Sequence, residues 1–137
     1  METFYLKVVS SYRKFYDGQC EMIIFPAIDG ERGVLPNHES MVTALQAGEL
    51  RLKFEGEWRK AAVGNGFVEI INNNVTLITD FCEWAEEIDI KRAKEAKKRA
   101  EEKIRQKKSL LEYHHSKAAL SRAMARLKVA KHIKKKI

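Results

Sequence analysis

Residues 67–93 read Phe67-Val68-Glu69-Ile70-Ile71-Asn72-Asn73-Asn74-Val75-Thr76-Leu77-Ile78-Thr79-Asp80-Phe81-Cys82-Glu83-Trp84-Ala85-Glu86-Glu87-Ile88-Asp89-Ile90-Lys91-Arg92-Ala93, and within that span the chain changes architecture. Residues 67–71 and 75–81 are rich in Val, Ile and Phe, and they flank three consecutive asparagines, which tolerate the left-handed backbone that a hairpin turn demands. After Trp84 the alphabet becomes Ala, Glu, Lys and Arg, all strong helix formers, and no Gly or Pro occurs from residue 67 to the end. The expectation is strands before this point and helices after it, with units at residues 1–84 and 85–137.

Working back toward the start, short apolar runs alternate with turn residues every ~8–12 positions, the punctuation of a small all-β domain. Residues 4–9, 13–16 and 20–26 read as the opening strands, with Asp17-Gly18 as a tight turn. Residues 48–54 and 58–63 pair across Glu55-Gly56-Glu57. Seven or more short strands favour an antiparallel sandwich or flattened barrel over an open sheet, which would leave long unpaired edges. The fold class expected is therefore α+β, an antiparallel β-sandwich followed by a two-helix antiparallel hairpin.

Working forward, Ala93, Ala96, Ala100 and Ile104 form one apolar stripe, and Leu120, Ala123 or Met124, Leu127, Ala130 and Ile133 another. Ser109-Leu110-Leu111-Glu112 has the pattern of a capping box, which starts the second helix at that point. The stripes are narrow and rich in alanine. They suit thin helices packed as a hairpin, although without Gly or Pro at the junction an extended, nearly continuous helix is also compatible.

Charge divides the chain at the same place. Residues 1–88 carry 8 Lys/Arg against 14 Asp/Glu, a net −6, whereas residues 89–137 carry 18 against 5, a net +13. The basic half should seek phosphates, an anionic surface or an acidic protein segment. No run of about 18 apolar residues is present and the N-terminus lacks a basic-then-apolar leader, so neither a membrane-spanning helix nor a secretory signal is expected. Cys20 and Cys82 lie far apart in apolar runs without metal-ligand spacing and read as reduced core residues.

The motifs now become specific. Asp29-Gly30-Glu31-Arg32-Gly33-Val34-Leu35-Pro36-Asn37-His38, then Thr43-Ala44-Leu45 and Gly48-Glu49-Leu50-Arg51, resemble the N-terminal signature of the ε subunits of F-type ATP synthase, bacterial type. Val63-Gly64-Asn65-Gly66-Phe67-Val68-Glu69-Ile70, Asn74-Val75-Thr76-Leu77-Ile78-Thr79-Asp80 and Ala85-Glu86-Glu87-Ile88-Asp89 resemble that family's paired strands and helix junction. The resemblance runs over nearly the whole chain in order. It implies a non-catalytic rotor subunit of the central stalk, whose sandwich docks on the γ subunit and the c-ring. Its two helices fold against the sandwich or extend into the α/β head, meet an acidic segment of β, and impede ATP hydrolysis. The location implied is the cytoplasmic face of the bacterial cell membrane, peripheral through the complex; composition leaves a plastid relative open.

Ile88-Asp89-Ile90-Lys91-Arg92-Ala93 is similar to the I/L-D-x-x-R-A motif that accompanies ATP binding in several bacterial ε subunits. Arg92 and Arg99 share one face of the first helix, and Arg122 and Arg126 one face of the second; a folded hairpin would converge guanidinium groups suited to phosphate oxygens. The resemblance implies that Glu83 and Asp89 receive donors from the adenine amino group or the ribose. The regulatory ATP-binding set is thus Glu83, Ile88, Asp89, Arg92, Ala93, Arg99, Arg122 and Arg126, with no other cofactor expected and the need for Mg²⁺ open. Against it stands a plainer reading, in which Asp89 is a helix N-cap and the arginines are solvated.

Other features point elsewhere or nowhere. Gly30-Glu31-Arg32-Gly33 lacks the Gly-Lys-Ser/Thr ending of a phosphate loop and reads as a turn. His38 has no catalytic companion and reads as structural or as part of a loop facing γ. His114-His115 reads as a solvated helix start, and Lys134-Lys135-Lys136 as a frayed cationic end. Nucleic-acid binding is disfavoured by the acidic sandwich and by Tyr113 being the only aromatic after Trp84. A membrane-surface helix is disfavoured by its alanine stripes, and an enzyme by the absence of any nucleophile-base or paired-acid constellation.

Overall fold

The computed structural model describes residues 2–134, with side chains described as far as Ala130; Ile133 as an apolar position and the cationic end at Lys134-Lys135-Lys136 lie outside the described side chains. Ten strands precede two helices: β1 (Phe4–Ser10), β2 (Lys14–Cys20), β3 (Met22–Ala27), β4 (Gly30–Val34), β5 (Met41–Leu45), β6 (Gly48–Phe54), β7 (Glu57–Val63), β8 (Gly66–Ile71), β9 (Asn74–Thr79), β10 (Cys82–Trp84), a 3-10 turn (Ala85–Glu87), α1 (Ile90–Gln106) and α2 (Leu110–Lys134). The strands form two five-stranded sheets, ordered β2-β1-β9-β8-β5 and β10-β7-β6-β3-β4. The expected sandwich is present. Its strands pair antiparallel except for β1 and β9, which run parallel.

Alternation along each strand builds the core. Phe4, Leu6 and Val8 of β1, Val75 and Leu77 of β9, and Val68 and Ile70 of β8 turn inward from the first sheet. Ile23, Phe25, Leu50, Leu52, Ala61 and Val63 meet them from the second. Both cysteines are free and buried, Cys20 in this core beside the Lys53 and Met22 carbonyls, Cys82 at the sheet edge. Burial pushes both thiols above their ordinary range.

The hairpin turns follow the residues expected to make them, with two exceptions. Glu55 and Gly56 take φ of 53° and 77° between β6 and β7, and Asn72 and Asn73 take 48° and 62° between β8 and β9, as two-residue turns of the primed type require. Asp17-Gly18 is not a turn. Both residues lie inside β2, paired with Lys7 and Leu6, and the reversal occurs earlier, where the Ser10 hydroxyl accepts from the amides of Tyr12 and Arg13. Gly30-Glu31-Arg32-Gly33 is likewise strand, paired along β3, with only Gly30 at positive φ where the turn at Ile28-Asp29 enters it.

α2 carries two buried faces. Ser116, Ala123 and Ala130 are buried with Leu120 and Leu127 half-buried, while Ala125 and Val129 pack with Ala62, Phe81 and Ala85 at the sandwich. Met124, an alternative position in the stripe, is 52% exposed. α1 buries Ala93 and Ala100 and packs on α2. The helices are thin enough to approach closely because alanine fills their seam. α1 ends at Lys107, which holds φ 50° and ψ 43° in the left-handed region where Gly is usual, and the Ser109 hydroxyl then accepts from the Glu112 amide to start α2.

Gly66 shows how tightly β8 and β9 are registered. A Cβ there would lie 1.8 Å from the Ile78 carbonyl oxygen, and backbone cannot swing aside as a side chain can. Gly66→Ala is expected to lower the free energy of unfolding by about 1–3 kcal/mol, read from the denaturant midpoint.

Candidate functional site

β10 pairs with β7, Glu83 opposite Ala62, and so brings Glu83 to the edge of the second sheet. The chain then tightens into the 3-10 turn, where the Glu87 carboxylate accepts from the Trp84 amide at 2.9 Å. Ile88 and Asp89 are extended, at φ −73° and −87°. The Asp89 carboxylate caps α1 by accepting from the Arg92 amide at 3.1 Å, which satisfies one of the four orphan amides of the helix start. The plainer reading of Asp89 is thus correct for one of its oxygens, Oδ1.

α2 returns antiparallel to α1 and lays Arg126 across the opening. Its Nε donates to Glu83 Oε1 at 2.5 Å, and its guanidinium lies 4.5 Å from the centre of the Phe81 ring. Between junction, α1 and α2 lies a cleft of about 470 Å³ lined by Glu83, Glu87, Asp89, Arg92, Ala93, Glu95, Ala96, Arg99 and Arg126, within the size range of small-molecule sites. Six of the eight residues expected from sequence meet there. Ile88 instead packs against the apolar cluster under α2, and Arg122, half-buried one turn before Arg126, is not in the lining.

Glu87, Glu95 and Ala96 belong to the lining without having been singled out. Glu95 stands three residues after Arg92 and four before Arg99, so helical spacing alone places it on their face; Glu87 is held both locally, by the Trp84 amide, and by Arg13, far away in sequence. Arg13 reaches from the β1–β2 turn to Glu87 with two contacts, 2.6 and 3.2 Å, and donates to the Cys82 carbonyl at 3.3 Å. The Arg13 hydrogen bond holds the Glu87 carboxyl below its ordinary range, and Glu87 in turn raises Arg13. Arg59 stacks 3.8 Å over the Trp84 ring and pairs with Glu86, and the Phe15 ring also contacts Trp84, centroids 4.2 Å apart.

Elsewhere, Nδ1 of half-buried His38 lies 2.9 Å from the Glu39 carbonyl, and His114 and His115 are exposed near the start of α2. Among the described residues no group of His, Cys, Asp or Glu is arranged to hold a metal, and no helix is long and apolar enough to cross a membrane.

Known proteins share this architecture. The beta-sandwich domain of the ATP synthase delta/epsilon chain matches residues 3–85, and its long alpha-helix domain matches residues 86–131. The ATP synthase epsilon chain of Ruminiclostridium cellulolyticum is 50% identical over 93% of this chain and 95% of its own, that of Caldanaerobacter subterraneus 48% over 94% of each, and that of Caldicellulosiruptor bescii 44% over the full length of both. Among solved structures, a chain of the Euglena gracilis mitochondrial ATP synthase, in an assembly of OSCP, F1 and c-ring, shares the fold with TM-score 0.79 and 24% identity, covering 95% of this chain and 82% of that one. The protein belongs to the ATP synthase delta/epsilon family. Within it the chain is of the bacterial epsilon type, a central-stalk subunit and not an enzyme in its own right.

Because the folded-state value of Glu87 is depressed, the stability it contributes is present above the ordinary glutamate value near 4.5 and is lost as pH falls through the lower folded value. In a Trp58→Phe background, which leaves Trp84 as the reporter, Trp84 fluorescence is expected to change across that acid window, and Glu87→Gln to remove the transition.

Proposed function

We propose that the sandwich, residues 1–84, docks this chain on the γ subunit and the c-ring, and that the hairpin, residues 85–137, regulates the α/β catalytic head. Ring rotation driven by protons is then coupled to ATP synthesis through the stalk, and the helices restrain ATP hydrolysis when they leave the sandwich. ATP binding in the cleft is the regulatory signal. The location is peripheral, on the cytoplasmic face of a bacterial cell membrane, in keeping with the bacterial relatives.

The observation that carries the nucleotide reading is the convergence of Arg92, Arg99 and Arg126 with Glu83, Asp89 and Ala93 on one cleft. Guanidinium groups bind phosphate oxygens bidentately, the carboxylates accept from an adenine amino group or a ribose hydroxyl, and Ala93 leaves room between them. Arg122 would join only by turning inward, and Ile88 would act by holding the junction. Ligand at 100 times its dissociation constant adds about 2.7 kcal/mol to the folded hairpin, enough to move an evenly balanced equilibrium almost wholly to one side. Falling ATP would release α1 and α2, whose net charge suits the acidic segment of β.

For docking, the outer surface of the first sheet offers Phe67 and Ile78, directly paired and 61% and 53% exposed, with Val9 and Ala44 beside them in register. A contiguous exposed apolar row on a small domain marks an interaction surface.

Calorimetric titration of ATP into the chain is expected to show saturable one-to-one binding, lost in the Asp89→Ala, Arg92→Ala double variant; no binding by the parent chain would remove ATP from the mechanism. Phe67→Asp is expected to weaken the complex with γ at least ~30-fold, the loss of about 2 kcal/mol that defines an interface hot spot, without altering ATP binding.

A further inference from the structure

The three acids of the junction, Glu83, Glu86 and Glu87, are each held by a different arginine. Glu87 is held by Arg13 and Glu86 by Arg59, both from the sandwich; Glu83 is held by Arg126, from α2. Two of these attachments therefore belong to the fixed part of the molecule and one to the hairpin.

We propose that Arg13 is a positioning residue that clamps the chain to the sandwich as far as Glu87, so that the hairpin swings about Ile88 and Asp89 and not about the sheet edge. The inference rests on the reading that the hairpin leaves the sandwich. Arg13 contacts Glu87 twice, donates to the Cys82 carbonyl, and lies 5.0 Å from the centre of the Phe15 ring; Phe15 and Arg59 both contact the Trp84 ring. β10 is paired to β7 and Ala85 is buried. Everything through Glu87 is thus attached to strands. From Asp89 onward the backbone bonds belong to α1, the Ala93 amide donating to the Asp89 carbonyl and the Asp89 side chain serving the same helix. Ile88, whose amide still donates to the Ala85 carbonyl, and Asp89, which caps α1, are both extended and meet between the two bonded bodies, which is where a hinge absorbs rotation. α2 holds the sandwich by Ala125, Val129 and the Arg126–Glu83 pair, a contact that can open while the clamp stays closed.

Hydrogen exchange of the full chain, read segment by segment, tests this. Arg126→Ala is expected to speed exchange in residues 122–130 about tenfold, the loss of one charge-assisted hydrogen bond, with residues 82–87 unchanged. Arg13→Glu is expected to speed exchange in residues 82–87 as well, and the swapped pair Arg13→Glu, Glu87→Arg to restore their protection, which a change in packing alone would not do. Equal acceleration of both segments in Arg126→Ala, or protection of 82–87 that ignores Arg13, would overturn the assignment. No acceleration of α2 in Arg126→Ala would instead show that the hairpin stays docked, and both readings would fall.

Discussion

Arg126 lies on the Phe81 ring and donates to Glu83, and the relation between helices and sandwich turns on that contact. A cation over an aromatic face is worth about 0.5–2 kcal/mol, and a hydrogen bond between charged groups about 1.5–3 kcal/mol. Around it are Ala125 and Val129, small side chains that bury little apolar area. The hairpin is therefore docked by an interface of a few side chains, whereas the sandwich is held by a continuous core. Stability of the two units differs in kind, and a ligand worth a few kcal/mol matters only to the weaker one.

Electrostatics reinforces the division. The sandwich half is acidic and the hairpin half basic, yet few of the hairpin's charges are neutralised by the sandwich in the described contacts. Arg126 is the point at which they meet, and it also lines the cleft. A phosphate entering that cleft must share this guanidinium with Glu83, or displace Glu83 from it. One of the cleft's arginines is thus already engaged by one of its carboxylates, through the Arg126–Glu83 pair.

Much of the fold is legible because local chemistry and tertiary structure agree. Asn72-Asn73 and Glu55-Gly56 are turns by residue type and by observed φ. Gly18 misleads because it lies inside β2 without positive φ, where a Cβ would meet Tyr16 only at ordinary contact distance, and the true reversal is made by a serine hydroxyl. The parallel pairing of β1 with β9 has no local signature, since it joins strands far apart in the chain. In α2 one set of residues faces α1 and another the sandwich, so no single stripe describes it, and Met124 could be confused with Ala123. At the site, helical spacing places Arg92 and Arg99 on one face of α1, but it pairs Arg126 with Arg122, which the cleft leaves out; the motif residues are marked by resemblance, and the contact of Glu87 with Arg13 is found only in three dimensions.

The bend between the helices is made by Lys107 in the left-handed region, a conformation costing a residue with a Cβ about 1–2 kcal/mol. With Gly at that position the corner would be relaxed at rest. With Lys it behaves as a sprung corner, kept closed by the seam of alanines and by α2's seat on the sheet. Lifting α2 removes part of what keeps it closed, and ordinary helical angles then become the lower-energy choice for Lys107. The corner leans toward straightening by the geometry of one residue, so a hairpin that left the sandwich would find extension of the arm favoured by its own backbone.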